Sequence, residues 1–446
     1  MITDPIRMCE LLVGLPDVHV LAVEDDTPLK VHIELRDPSR RCADCGEVGV
    51  LKERRRVELV DLAAFGRPVR LVWHKHRWTC VNDGCGRESW TGQDPGVAPP
   101  RLGMTGRAGR WVTVQVGRCG RTVAEVAREL ECDWHTVNDT VLGYGRALLE
   151  ADTTRVGEVT ALGLDETLFG RFGQWRTQAW ATSIVDVTAG VLLDMVPGRD
   201  WKGPVGWLEA MPDDWRAHVR YEVLDLSGPY RLVFDQTLDH VTQIADPFHV
   251  VRLANDKLDE CRRRVQNETL GHRGRKDDPL YRVRKLLVMA EQRLTGNGSD
   301  KMLGLLRAGD PRGEVKTAWH AKELVRSIYE IDAPHTAAGF VAQLGHDLQD
   351  DSCPPETRQL GRTIIRWHSQ ITAWHQARVS NGPTEAINNL IKPVKRVAFG
   401  FRRFASSRIR ALLYAGRPNW DPLATVTPYR NPKCRIAPNP TPRGMR

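Results

Sequence analysis

The stretch "EVTALGLDETLF", Glu158–Phe169, carries two demands that conflict. Its apolar residues predict a strand of a protein core, yet Asp165 and Glu166 stand inside it. A buried charge is costly unless it is paired or binds a metal. Neighbouring residues on a strand point to opposite faces, so only one of the two acids is expected at a given site. Two more strand-like runs follow, "TQAWATSIVDV" (Thr177–Val187) and "GVLLDMVPG" (Gly190–Gly198). A helix-like stretch around "KGPVGWLEAMPDDW" then leads to a fourth strand, "HVRYEVLDLS", which ends at Asp225. Three antiparallel strands, a helix and another strand predict an α/β or α+β core.

Downstream, residues 246–374 read as helical, with loops at "GHRGRKDDP" and "DDSCPPE". The next helix is "SNGPTEAINNLIKPVKR", Ser380–Arg396. Ser380 or Asn381 suits its N-cap, and Pro383 suits its first turn. Ile387, Leu390, Ile391, Val394 and Ala398 form an apolar face. Glu385, Asn388, Asn389, Lys392 and Arg396 lie on the other side. No Asp or Glu appears from Lys392 to Arg417, a span that includes Lys395, Arg402 and Arg403. A first-turn acid complements the helix dipole. A carboxylate followed by amides and cations also suits a ligand made of metal and phosphate.

Upstream, "RTVAEVARELECDWHTVNDTVLGYG" from Arg121 has helix-turn-helix patterning. Val123, Val126, Ala127 and Leu130 share one face, and a second helix turns Val137 and Val141 inward. Trp134, His135, Thr136, Asn138 and Asp139 stand near the start of that second helix, where a major groove would be read. Arg107, Arg110, Arg118 and Arg121 precede or open the motif. "GQDPGVAPPRLG", Gly92–Gly103, reads as a linker. Before it, Cys42 and Cys45 form C-x2-C, and Cys80 and Cys85 form C-x4-C, each beside Gly. Two such knuckles joined by a hairpin predict one structural Zn²⁺ held by four thiolates. His74 and His76 are possible substitute ligands, whereas Cys9, Cys119, Cys132, Cys261, Cys353 and Cys434 have no such pairing.

The chain of 446 residues has 64 Lys and Arg against 56 Asp and Glu, a net charge of +8. That length predicts several domains, and the basic excess suits a polyanion. No apolar run can span a bilayer, and the start lacks a signal-peptide layout, so a cytoplasmic protein is expected. Ten cysteines in so long a chain are not a disulfide framework.

Asp165, Asp225 and Glu385 cannot gather without compensation. At an effective dielectric of about 20, each like-charged pair about 4 Å apart costs on the order of 4 kcal/mol. Divalent cations remove that penalty, and oxygen ligands beside phosphate favour Mg²⁺, with Mn²⁺ as a substitute. Two ions can activate an attacking oxygen and stabilise a leaving one.

The order of cysteine knuckles, helix-turn-helix, "LDE", "LDLSGPY" and "SNGPTEAINNLIKPVKR" resembles a bacterial insertion-sequence transposase of the DDE type, in the ISL-three family. "ADPFHVVRLANDKLDECRRR" and "AFGFRRF" add to the likeness, which covers residues 42–410. The resemblance implies an RNase H-like core whose acids are Asp165, Asp225 and Glu385, with Asp246 as a rival second acid. It implies two Mg²⁺ per site, cleavage at terminal inverted repeats, strand transfer into target DNA, and a homodimer or higher oligomer on double-stranded DNA. Trp134, His135, Thr136, Asn138, Arg118 and Arg121 would read DNA. Asn388, Lys392, Lys395, Arg396, Arg402 and Arg403 would contact it near the acids. The expected fold is multidomain α+β: a segment 1–35, a zinc module 36–92, a linker 93–103 and a helix-turn-helix domain 104–150. The core follows at 155–248 and 376–416, around a helical insertion 249–375, and a Pro-rich basic tail takes up 417–446. The rival readings are a regulator with an inactive core and a metal nuclease that cuts without joining.

Overall fold

A computed structural model describes residues 2–398 and 401–428. Cys434, most of the tail and two residues of "AFGFRRF" lie outside the described residues. The chain divides into two compact units. One is Met1–Arg155 with the described residues from Leu390 onward, and the other is Val156–Asn389.

The first unit contains a sheet of five strands: β1 (Val18–Glu24), β2 (Leu29–Leu35), β3 (Val50–Ala64), β4 (Arg67–Thr79) and β5 (Ser89–Thr91). The order is β1-β2-β4-β3, with β5 on β4. Residues 18–35 thus belong to the sheet of the cysteine module, because β2 pairs in parallel with β4. Nor is 93–103 a bare tether. Val97 and Ala98 are buried in the sheet's apolar core, and Val60 N–H donates to Gly103 O at 3.0 Å.

A helical layer belongs to the same unit. Helices Val123–Glu129 and Trp134–Ala151 bury Val123, Val126, Ala127, Leu130, Val137 and Val141. Thr122 and Glu125 form a reciprocal capping box at the first of them. Arg70 of β4 donates to the carbonyls of Leu130 and Glu131, which fastens the turn between the helices to the sheet. Helix Phe404–Ala415, expected with the catalytic core, packs here instead through Ile409 and Leu413. The described part of the tail is anchored in the same layer. Trp420 and Leu423 join the same apolar cluster, and Asn419 N–H donates to Asp152 at 2.7 Å. Large apolar side chains gain from burial whatever the Pro content around them.

The second unit holds β6 (Ala161–Phe172), β7 (Thr177–Asp186), β8 (Val191–Pro197), β9 (Tyr221–Leu224) and β10 (Thr242–Ala245). Their order is β10-β9-β6-β7-β8. β6, β7 and β8 run antiparallel, while β6, β9 and β10 run parallel. Helices cover this sheet through a core that includes Leu162, Leu164, Leu224, Tyr230, Phe234, Leu344 and Trp367. The far half of helix Pro247–Leu270 joins a separate cluster with Leu280, Met302 and Trp319.

Candidate active site and metal centres

The register of two strands brings the first acids together. β6 and β9 pair in parallel from Ala161↔Tyr221 to Gly163↔Val223. Asp165 lies four residues after Ala161, and Asp225 lies four after Tyr221. Carried forward, the register sets the two acids side by side where the ladder has ended. Ligand sites of open α/β sheets form at such carboxyl ends. Carboxylate oxygens of Asp165, Glu166 and Asp225 all lie within 4.8 Å of one another.

Glu166 is the departure from the sequence reading, which allowed one of the adjacent acids to a site. Alternation separates neighbouring side chains across a continuous sheet. Alternation is kept here, since β6 stays paired with β7 at both acids, Asp165 bonds Asn388 and Glu166 bonds Tyr230. Past Gly163, however, β6 has no β9 neighbour, and at that edge one oxygen of each acid lies within 4.8 Å of an Asp225 oxygen. The burden of this gathering is visible in their protonation. Burial and then the Asp165 charge push Asp225 up to about 6. The same causes raise Glu166, against the pull of Arg199 and a hydrogen bond from Tyr230. Asp225 Oδ1 is buried and has no hydrogen-bond partner among the described residues. An orphaned carboxylate oxygen among three acids fits a hard divalent cation.

Helix Gly382–Val397 crosses this site. Its entry needs Gly163: a Cβ there would collide with Thr384 Oγ1 and sit 2.9 Å from Asn381 Oδ1. Asn388, expected on the exposed face, is buried. Its Nδ2 donates to Asp165 Oδ2 at 2.6 Å, and its Oδ1 accepts from Thr167 at 2.9 Å and Ser183 at 3.0 Å. These bonds occupy the amide, so Asn388 positions Asp165 and does not face a ligand. Leu390, expected inward, is 39% exposed. Glu385 stands one turn before Asn388 but outside the three-carboxylate group, with Oε1 3.3 Å from His249 Nε2. Asp246 accepts from His249 N–H at 3.4 Å and from Asn381 N–H at 2.7 Å. It caps helix Pro247–Leu270.

The cysteines converge in the first unit. Cys42 and Cys85 sulfurs are 3.8 Å apart, Cys45 and Cys80 sulfurs 3.5 Å, and all four lie within 4.8 Å. Zn–S bonds of about 2.3 Å in a tetrahedron require sulfurs about 3.8 Å apart, so the residues fit Zn²⁺. Backbone N–H groups of Cys45 and then Asp44 hold the Cys42 thiol down to about 7. Against a backbone bond from Asn82, burial and the neighbouring thiols push Cys80 up to about 12, and Cys85 is raised as well. His74 faces His32 at 2.9 Å and His76 faces Glu34 at 3.4 Å, so neither joins the thiols.

The family model for ISL3 transposases, described as "Transposase", matches residues 162–411. The chain belongs to this family. The chain is similar to the transposase for insertion sequence element IS1001 of Bordetella parapertussis. Identity is 23% over 372 residues, covering 81% of this chain and 84% of the relative. It is also similar to the transposase for IS1557 of Mycobacterium tuberculosis, 26% identical over 318 residues, 66% of this chain and 67% of the relative. As a transposase, it is a nucleic-acid-processing enzyme whose family uses divalent metal and acts on DNA. No helix among its described residues is long and apolar enough to cross a membrane.

The remaining candidate residues of the transposase differ in exposure. Trp134 and His135 are exposed, Asn138 is half-buried, and Thr136 donates to Asp133 at 3.1 Å. Arg118 is exposed, but Arg121 is held by Glu129 at 2.6 Å. Lys392, Arg396, Arg402 and Arg403 are exposed, and Lys395 is half-buried.

Proposed function

We propose that this transposase cuts DNA at the ends of an insertion sequence and joins the freed 3′ ends to a target, on an RNase H-like core. The observation that carries the reading is the register that sets Asp165 beside Asp225 at the open end of β6 and β9. The strand order, with three antiparallel strands followed by two parallel ones, supports the fold assignment. Asp165, Asp225 and Glu385 would hold Mg²⁺ or Mn²⁺, two per site. Bound there, the ions supply Lewis-acid activation of the attacking oxygen and neutralise the leaving one.

The chain's own groups do the positioning. Asn388 holds one oxygen of Asp165 and leaves the carboxylate plane fixed. His249 holds Glu385 close to the cluster and favours the charged form of Asp225. Glu385 remains the third acid because it shares a helix face with Asn388 and its carboxylate is 41% exposed, open to a ligand. Glu166 is the competing third acid, favoured by its place within the cluster. Trp134, His135 and Asn138 read bases, while Arg118, Lys392, Arg396, Arg402 and Arg403 hold phosphates. The cysteine module carries one structural Zn²⁺ and supports DNA-end binding.

Cleavage of terminal-repeat DNA in Mg²⁺ tests the assignment. Asp165→Asn, Asp225→Asn and Glu385→Gln should each bind DNA and lose at least about 10³-fold in cutting, without additivity. Asp246→Asn should keep part of the activity. Full cleavage by Glu385→Gln beside an inactive Glu166→Gln would transfer the third role to Glu166. Transfer of a cut end into a target plasmid separates a transposase from a nuclease that only cuts.

A further inference from the structure

β6 and β7 run on past the strands that flank them. β9 accompanies β6 only to Gly163, and β8 accompanies β7 only from Ala181 onward. Leu168–Phe172 and Thr177–Trp180 therefore form a two-stranded ribbon, closed by the turn Gly173–Arg176. Within the turn, Arg176 N–H donates to Gly173 O at 3.1 Å. Phe169 and Phe172 rings pack 5.5 Å apart along the ribbon. Trp175, at its tip, is 87% exposed.

An indole so placed adds nothing to the core, and its exposure is unfavourable in water. Its surroundings are cationic. Arg171 and Arg176 are exposed on either side, and Arg199 lies 4.9 Å over the Trp180 ring. No Asp or Glu occurs from Thr167 to Val185. An aromatic face among arginines is the combination that binds single-stranded nucleic acid, by base stacking and phosphate contact.

We propose that the β6–β7 ribbon grips an unpaired DNA strand, with Trp175 stacking on a base and Arg171 and Arg176 holding the flanking phosphates. The inference rests on the reading of Asp165 as part of a DNA-cutting centre, because the ribbon is the direct continuation of its strand. From Asp165 to Trp175 the chain covers at most about 33 Å at 3.3 Å per residue. The stacked base thus belongs to DNA within about ten nucleotides of the reacting phosphate, at about 3.4 Å per nucleotide.

Fluorescence anisotropy on the full chain tests this with two labelled probes, a 20-nucleotide oligothymidylate and a duplex of the same length. Trp175→Ala should weaken oligothymidylate binding about tenfold or more, leave the duplex within about twofold, and leave the melting temperature unchanged. Trp175→Phe should restore most of the loss. The double variant Arg171→Ala/Arg176→Ala should weaken both probes and flatten the salt dependence. Unchanged oligothymidylate binding by Trp175→Ala, or an equal loss on both probes, would overturn the proposal. Asp165→Asn serves as the separating control. If it still cuts DNA, the catalytic reading fails, whereas the probe selectivity of Trp175 is read without any cutting.

Discussion

The two clusters of candidate metal ligands are assembled in opposite ways. Cys42, Cys45, Cys80 and Cys85 come from two tight knuckles at the ends of one hairpin, and their spacing is local. Asp165 and Glu166 come from one strand and Asp225 from the end of another, about 60 residues apart in sequence, with Glu385 of a later helix outside the group. The thiol group matches a closed tetrahedral site, in which the ion is part of the fold. The acidic group opens at the end of a sheet, and the fold holds it together against burial and repulsion that push Asp225 up to about 6. A closed cluster stabilises once filled, while an open cluster stores unfavourable charge that a ligand relieves.

Removing a ligand should therefore have opposite effects in the two places. The largest effect belongs to the thiols. Zinc removal, or Cys42→Ser with Cys80→Ser, should forfeit a binding energy on the order of 10 kcal/mol and expose the amides of the knuckles to hydrogen exchange. Zinc that stays fully bound in that double variant would contradict a closed site.

Glu222 sharpens the contrast, since it separates burial from mutual repulsion. It lies on β9, fully buried, and neither carboxyl oxygen has a hydrogen-bond partner among the described residues. Burial first, then the Asp235 charge, pushes it up to about 10. A raised acid retains its proton on folding. Its stabilising contribution is complete below about 4.5 and lost as pH rises toward about 10. Glu222→Gln should flatten that slope and stabilise the protein at pH 8 by on the order of 5 kcal/mol. An unchanged pH slope of thermal unfolding would show that Glu222 has a partner in solution.

Asp225→Asn should act in the same direction with less force. Its stabilising contribution to the metal-free protein is lost between about 3.8 and about 6. The amide should raise stability at pH 8 by about 3 kcal/mol and leave it unchanged near pH 3.5. Destabilisation at pH 8 would mean that the carboxylate is compensated by the protein alone. The smallest effect is expected from Gly163→Ala. Crowding the entry of helix Gly382–Val397 should cost about 1–3 kcal/mol in unfolding free energy. DNA cleavage should fall by much more than stability does, because Asn388 and Glu385 ride on that helix. Proportionate loss of both would remove the positioning role.

The sequence by itself determined what depends on neighbours along the chain. The Cys spacings, the buried face from Val123 to Leu130, the capping of helices and the apolar strands around Asp165 all follow from turn geometry or from a short period. Asp165 and Asp225, which the structure brings together, stood out in the sequence as well, whereas Glu385 was offered by the late motif and its family likeness and lies outside that group. Tertiary structure alone decided the rest. Glu166, on the opposite face of β6 from Asp165, reaches the other acids at the edge that β9 leaves open past Gly163, and Asn388 turned inward because Asp165, Thr167 and Ser183 satisfy its amide. Helix Phe404–Ala415 packed through Ile409 and Leu413 in the first unit, although its apolar pattern suits either partner. Periodicity reports which side of an element is buried. It carries no information on what covers that side, because hydrophobic burial is non-directional and only hydrogen-bond geometry and steric fit select the partner.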